Sequence, residues 1–275
     1  MAKHPYNVKI ERRPTHLLNM RPVPTSALPS RVDLRNRLPK PYDQGSLGSC
    51  TANALVAAFQ YIVPSFMGSR LFLYYNERYI EHTIPYDAGA TLADGITAMK
   101  KFGICSESLW PYTTNTFAKR PPQVCYAAAQ NDSVLNAHNL VQTENKMQTS
   151  LHNGLPFVVG ISVFDAFESA AVAKTGIVPL PGAMDVSLGG HAVLVCGYDD
   201  TFSGGVWIVR NSWGVNWGDR GYFYLPYAYL TDPNLSSDIW TITATNVLPV
   251  SKKKLPCVSR RYNVFAGPPF KCRGV

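Results

Sequence analysis

Apolar and polar positions change their spacing partway along the chain. From Thr51, TANALVAAFQYIV places Ala54, Leu55, Ala58, Phe59 and Ile62 three and four residues apart, which predicts a buried helix with Cys50 at its first turn. TLADGITAMKKFG (91–103) predicts a second helix. Thr91 caps it, Asp94 completes a capping box, and Gly103 suits a left-handed stop. TENKMQTSLHN (143–153) predicts a short helix ending at Gly154. Beyond it the period falls to two. LPFVVGISVF, GGHAVLVCGYD, GVWIVRNSW and GYFYLPYAYL are rich in Val, Ile, Tyr and Phe, are separated by glycine turns, and predict strands. Helices first and an antiparallel sheet second define an α+β fold.

The ends differ from the middle. Residues 1–27 are polar and punctuated by Pro5, Pro14, Pro22 and Pro24, and they predict an extended arm. A body spanning 28–250 follows, and then a basic tail over 251–275. The chain has 275 residues and a net charge of +8. Lys3, Lys9, Arg12, Arg13 and Arg21 face only Glu11 in the arm, and seven basic residues between Lys252 and Arg273 face no acid. The centre is therefore acidic on balance. The basic ends read either as solvated tails or as contacts for an anionic partner.

No apolar signal segment opens the chain, and no apolar run is long enough to span a membrane. The expected setting is cytoplasmic or virion-associated, without classical secretion. The six cysteines include no C-x-x-C pair, which argues against a zinc ribbon; no metal or cofactor is expected. A chain without a secretion signal ordinarily keeps its thiols reduced; the alternative is that Cys257 and Cys272 pair and close the tail.

QGSLGSC (44–50) runs straight into the first helix. A thiol at a helix N-terminus meets the positive end of the macrodipole and unpaired amides, both of which favour thiolate. The bland alternative is a buried free cysteine. Gln44 is placed to return as an amide donor. His191 opens a strand in GGHAVLVCGYD, whereas His4, His16, His82, His138 and His152 have no such setting. Asn211 in NSWG ends the next strand, within reach of His191, and Trp213 is placed to cover that contact.

These three segments, in this order, resemble the papain family of cysteine proteases. LPSRVDLR (28–35) is similar to the mature start in that family, and GICSESLWPY and TGIVPL are further family-like segments. The resemblance implies a helical left lobe, a β-barrel-like right lobe and a cleft between them. It implies that Cys50 attacks the scissile carbonyl, that His191 pairs with it and protonates the leaving amine, and that Asn211 orients the ring. Gln44 and the Cys50 amide would form the oxyanion hole, giving a thioester intermediate and polypeptide substrates. Gly48, Ser49, Gly89, Gly190 and Trp213 are the implied substrate contacts. Asp238, in LSSDIWTI, is either a determinant of basic side-chain preference or a satisfied turn residue.

The chain also departs from the family pattern. Leu47 and Thr51 stand where the family usually has a cysteine and a large aromatic, which puts the wall beside the nucleophile in doubt. The 27 residues before LPSRVDLR are not expected to form the long helical propeptide of that family. The short arm then reads as a plain end or as an inhibitory segment of a zymogen. No occluding loop is apparent, which favours an endopeptidase. The competing readings are a catalytically silent papain-like binding protein and another Cys–His hydrolase or transferase.

Overall fold

The computed structural model describes residues 4–9 and 24–245. The basic tail, with Cys257 and Cys272, lies outside the described residues.

The first lobe is helical. α1 (Cys50–Ile62) is buried over almost its whole length, as its run of Ala, Leu, Val and Phe dictates. α2 (Arg70–Ile80) and α3 (Leu92–Lys101) pack on α1 and on each other, and α4 (Gln123–Ala129) closes the lobe. Ser69 caps α2 by accepting the Phe72 amide at 3.0 Å. Thr91 caps α3 through the Asp94 amide at 2.9 Å, and Gly103 adopts the left-handed φ of 72°. The capping box is one-sided. Thr91 Oγ1 donates to the Asp94 carboxylate, and the Thr91 amide is taken by Glu81.

The second lobe is one antiparallel sheet. Its strands are β1 (Arg31–Asp33), β2 (Val134–Asn139), β3 (Phe157–Phe164), β4 (Ser187–Asp199), β5 (Val206–Arg210), β6 (Tyr222–Pro226) and β7 (Ser236–Thr245). They run in the order β2-β7-β3-β4-β5-β6, with β1 added to the far end of β4. The outer strands β2 and β6 are not paired to each other, so the sheet curves without closing into a barrel. α5 (Glu144–His152), α6 (Ala170–Thr175) and α7 (Tyr227–Thr231) surround it. The segment YAYL, expected to continue a strand, forms α7 after Pro226.

Side-chain alternation splits the interior in two. Val158, Ala192 and Leu194 join the core formed with α1. Phe157, Val159, Ile161, Val193 and Val195 point the other way, into a core shared with Trp207, Trp213 and Phe223. This period-two sorting brings the start of β4, where His191 sits, against the start of α1.

Candidate active site

Cys50 is the first residue of α1 and is wholly buried. The backbone amide of Ala192 on β4 lies within hydrogen-bonding reach of its sulfur, so the lobes meet at the thiol. His191 precedes that amide and is also wholly buried. Its Nε2 lies 2.8 Å from Asn211 Oδ1, and Nδ1 is buried without a hydrogen-bond partner. Asn211 Oδ1 also accepts the Ser212 amide at 2.8 Å, which fixes the orientation of the side-chain amide. Nε2 must then carry the proton, and the lone pair falls on Nδ1. Trp213 stacks with the imidazole at 5.0 Å and 26°, keeping water from that pair.

Gln44 is buried in the loop that leads into α1. Its Nε2 donates to the Leu47 carbonyl at 3.0 Å, and its Oε1 accepts from Ser212 Oγ at 2.5 Å. Its backbone amide donates to the Ser212 carbonyl at 2.9 Å, tying the loop before α1 to the end of β5. A network that sequence reasoning did not find braces this loop. Arg70 on α2 lies between the rings of Tyr42 and Tyr112, at 4.8 and 4.1 Å, and pairs with Glu107 at 2.8 Å. It also donates to the Asp43 carbonyl and to Asn53 Oδ1, while the Tyr112 hydroxyl donates to the Gln44 carbonyl.

Leu47 is buried, and Thr51 donates to the carboxyl of Glu77 at 2.8 Å. Glu77 is wholly buried and its second oxygen has no hydrogen-bond partner. Burial pushes it up to about 8, with the Thr51 hydrogen bond pulling the other way.

The arm lies across the mouth of this site. Asn7 pairs in parallel with Gly190, and the Val8 amide donates to the Gly190 carbonyl at 3.2 Å. The Lys9 amide donates to the Ala90 carbonyl at 3.2 Å. Asn7 Nδ2 donates to the Asp87 carbonyl, and Val8 joins the core of the helical lobe. Tyr6 meets the His191 ring edge-on at 6.3 Å, and its hydroxyl donates to Glu168. His4 stacks on Trp213 at 4.1 Å and 4°, and Lys9 pairs with Glu81.

Gly48, Gly89, Gly190 and Trp213 therefore line one cleft. A Cβ on Gly190 would meet the Val8 carbonyl oxygen at 2.6 Å, and one on Gly89 would meet that of Asn7 at 1.8 Å. Gly89 admits the arm by lacking a side chain. The arm's backbone pairs here with Ala90, and the Gly89 amide donates to the Tyr74 hydroxyl. Ser49 faces inward, bonding Tyr112 at 2.5 Å and Asn53 at 3.1 Å, not the cleft. Asp238 lies within β7 at a register shift, with φ of 57°, and its Oδ1 accepts from Trp240 Nε1 at 2.6 Å.

Burial sets the protonation of the covered pair. It pushes the Cys50 thiol up to about 12, against the pull of the Ala192 amide. It brings His191 down to about 4, opposed by the Asn211 hydrogen bond and reinforced by His4. Under the arm, burial thus disfavours the charged form of each group, thiolate and imidazolium alike. Among the described residues no group of side chains is placed to hold a metal ion, and no helix is long and apolar enough to cross a membrane.

A two-lobed α+β body with a cysteine at a helix start against a strand-borne histidine is the architecture of thiol peptidases. Residues 28–232 match the papain family cysteine protease, and the chain belongs to that family. It is 40% identical over 214 residues to an uncharacterized peptidase C1-like protein of Acanthamoeba polyphaga mimivirus, covering 73% of this chain and 68% of the relative. It is 29% identical over 199 residues to Peptidase 1 of Dermatophagoides farinae, covering 72% of this chain and 60% of that protein, less than two thirds of its length. Xylellain, a cysteine protease from Xylella fastidiosa, superposes with a TM-score of 0.77 at 37% identity, covering 88% of this chain and 97% of that structure. Digestive procathepsin L 3 of Tenebrio molitor shares the fold at a TM-score of 0.65 and 20% identity, covering 86% of this chain and 76% of that structure.

Proposed function

We propose that this chain is a cysteine endopeptidase acting through Cys50, His191 and Asn211, and that residues 4–9 hold it as a covered zymogen. The observation that carries the reading is the His191 ring. Its Nε2 is held by Asn211 and its Nδ1 is left without a hydrogen-bond partner, while the amide of the next residue, Ala192, reaches the Cys50 sulfur.

In the uncovered site, water reaches the cleft and the cost of charge separation falls. Nδ1 takes the Cys50 proton, and the helix dipole with the Ala192 amide stabilises the thiolate. The sulfur attacks the peptide carbonyl. The negative charge on its oxygen is met by the Cys50 amide and the Gln44 side chain, whose second N–H remains for that purpose beside the Leu47 bond. Imidazolium then gives its proton to the departing amine, and water hydrolyses the thioester with His191 again as base.

The arm opposes every step. It occupies the cleft, desolvates the pair and keeps both partners neutral. Deleting residues 1–27 and measuring hydrolysis of a quenched peptide tests the reading. The expected result is a large gain in rate, abolished by Cys50→Ala. Equal rates with and without the arm would remove the zymogen, and activity surviving in Cys50→Ala would remove the nucleophile.

A further inference from the structure

The arm touches the cleft walls as a ligand would, and its polar anchors fall at two stations. At one, the His4 ring lies flat on Trp213; burial pushes its titration down on balance, while the nearby carboxylates of Glu168 and Asp43 pull the other way. Glu168 also accepts from the Tyr6 hydroxyl. At the other, the ammonium of Lys9 rests on Glu81, whose side chain is only 8% exposed and whose other oxygen is held by the Thr91 amide at 2.9 Å. Between the stations the arm is held by backbone pairing with Gly190 and Ala90 and by burial of Val8, contacts indifferent to charge.

When the arm leaves, Glu81 loses its cation, and the Trp213 face is left bare beside two carboxylates. An indole flanked by acids attracts a cation through both its ring and its neighbours. Resting on the peptidase reading above, we propose that the uncovered cleft selects polypeptides carrying basic side chains at the two stations held here by His4 and Lys9. The arm's five-residue step fixes their separation at roughly 16 Å along extended chain. The requirement concerns side-chain charge and holds for either chain direction. The substrate class is a basic segment of protein, and the acidic balance of the body suits the same partner.

Two measurements on the full chain test this. The first is the rate of Cys50 alkylation by iodoacetamide, a neutral probe. His4→Glu and Lys9→Glu should each speed labelling on the order of three- to ten-fold at low salt. Lys9→Glu combined with Glu81→Lys should restore the slow rate, and Glu168→Gln should blunt the His4→Glu effect. The second uses the full chain loosened by Tyr6→Ala, with quenched peptides bearing Lys, Ala or Glu at positions five apart. Lys peptides should be cleaved at least about ten-fold faster than Glu peptides, the ratio shrinking at about 0.5 M salt and in Glu81→Gln. Equal cleavage of all three, or charge reversals that leave labelling unchanged, would overturn the inference. Cys50-dependent cleavage of the Ala peptide reports separately on the peptidase reading.

Discussion

His191 Nε2 and Asn211 Oδ1 stand 2.8 Å apart, and the same oxygen accepts the Ser212 amide at 2.8 Å. That double acceptance leaves the asparagine no freedom to flip, so the imidazole has one neutral tautomer. The orienting power resides in the backbone after β5 as much as in the side chain.

Replacing Asn211 with Ala should therefore lower kcat without raising KM in proportion, because the ring loses its tautomer and not its substrate contacts. Cys50→Ala and His191→Ala should each remove at least about a thousand-fold of activity. Gln44→Ala should cost about 100- to 1000-fold in kcat. Single-turnover peptide hydrolysis by the arm-free enzyme measures all four.

The arm's effect on the thiol should appear as a titration. With the arm in place, the ultraviolet thiolate signal of Cys50 should be absent through neutral pH, since burial holds the thiol up near 12. Removing the arm should move it down by several units and raise the His191 midpoint from about 4. An unchanged thiolate titration after removal would contradict the desolvation account.

Gly89→Ala separates cover from chemistry. Its Cβ would fall 1.8 Å from the Asn7 carbonyl oxygen, so the arm must lift, and Cys50 in the full chain should react faster with iodoacetamide. The residue's φ of 67° adds about 1 kcal/mol of strain, visible as a small loss of stability in urea.

Glu77 predicts a pH dependence of stability. Its acid is raised to about 8 in the fold against an ordinary 4.5, so the folded state binds its proton more tightly. That contribution is complete below about 4.5 and is lost as pH rises through about 8. Glu77→Gln should flatten this window, making the variant relatively more stable than wild type at pH 9 than at pH 5 in urea titrations.

Arg70→Met should destabilise the protein by about 2–4 kcal/mol, because Glu107 and the Asp43 carbonyl lose a largely buried partner. It should also lower kcat, since Tyr112 and Asp43 hold the loop that carries Gln44. Urea unfolding and peptide kinetics on one preparation separate the two effects.

Much of the site was legible because its signals are local. Cys50 opens an apolar helix, His191 opens an apolar strand, and NSWG follows the next strand. α2 was not read, because RLFLYYNERYI is aromatic on several sides and is sorted only by burial against α1 and α3. β2 and β7 pair across about a hundred residues, a relation that no local period carries. YAYL has strand-forming residues but turns helical after Pro226, where packing on β6 and β7 overrides propensity. The inhibitory reading of the arm rested on its prolines. Its grip at Tyr6, Val8 and Lys9 has no periodicity, because these residues pack on another part of the chain and not on each other.

The covered cysteine has one more consequence, for storage. Thiolate, not thiol, attacks peroxides and disulfides, and a sulfur whose titration burial pushes up to about 12 offers little of it. On the zymogen reading proposed above, the arm that covers the site would also shield its sulfur from oxidation, so each molecule would gain its reactivity and its vulnerability in the same event.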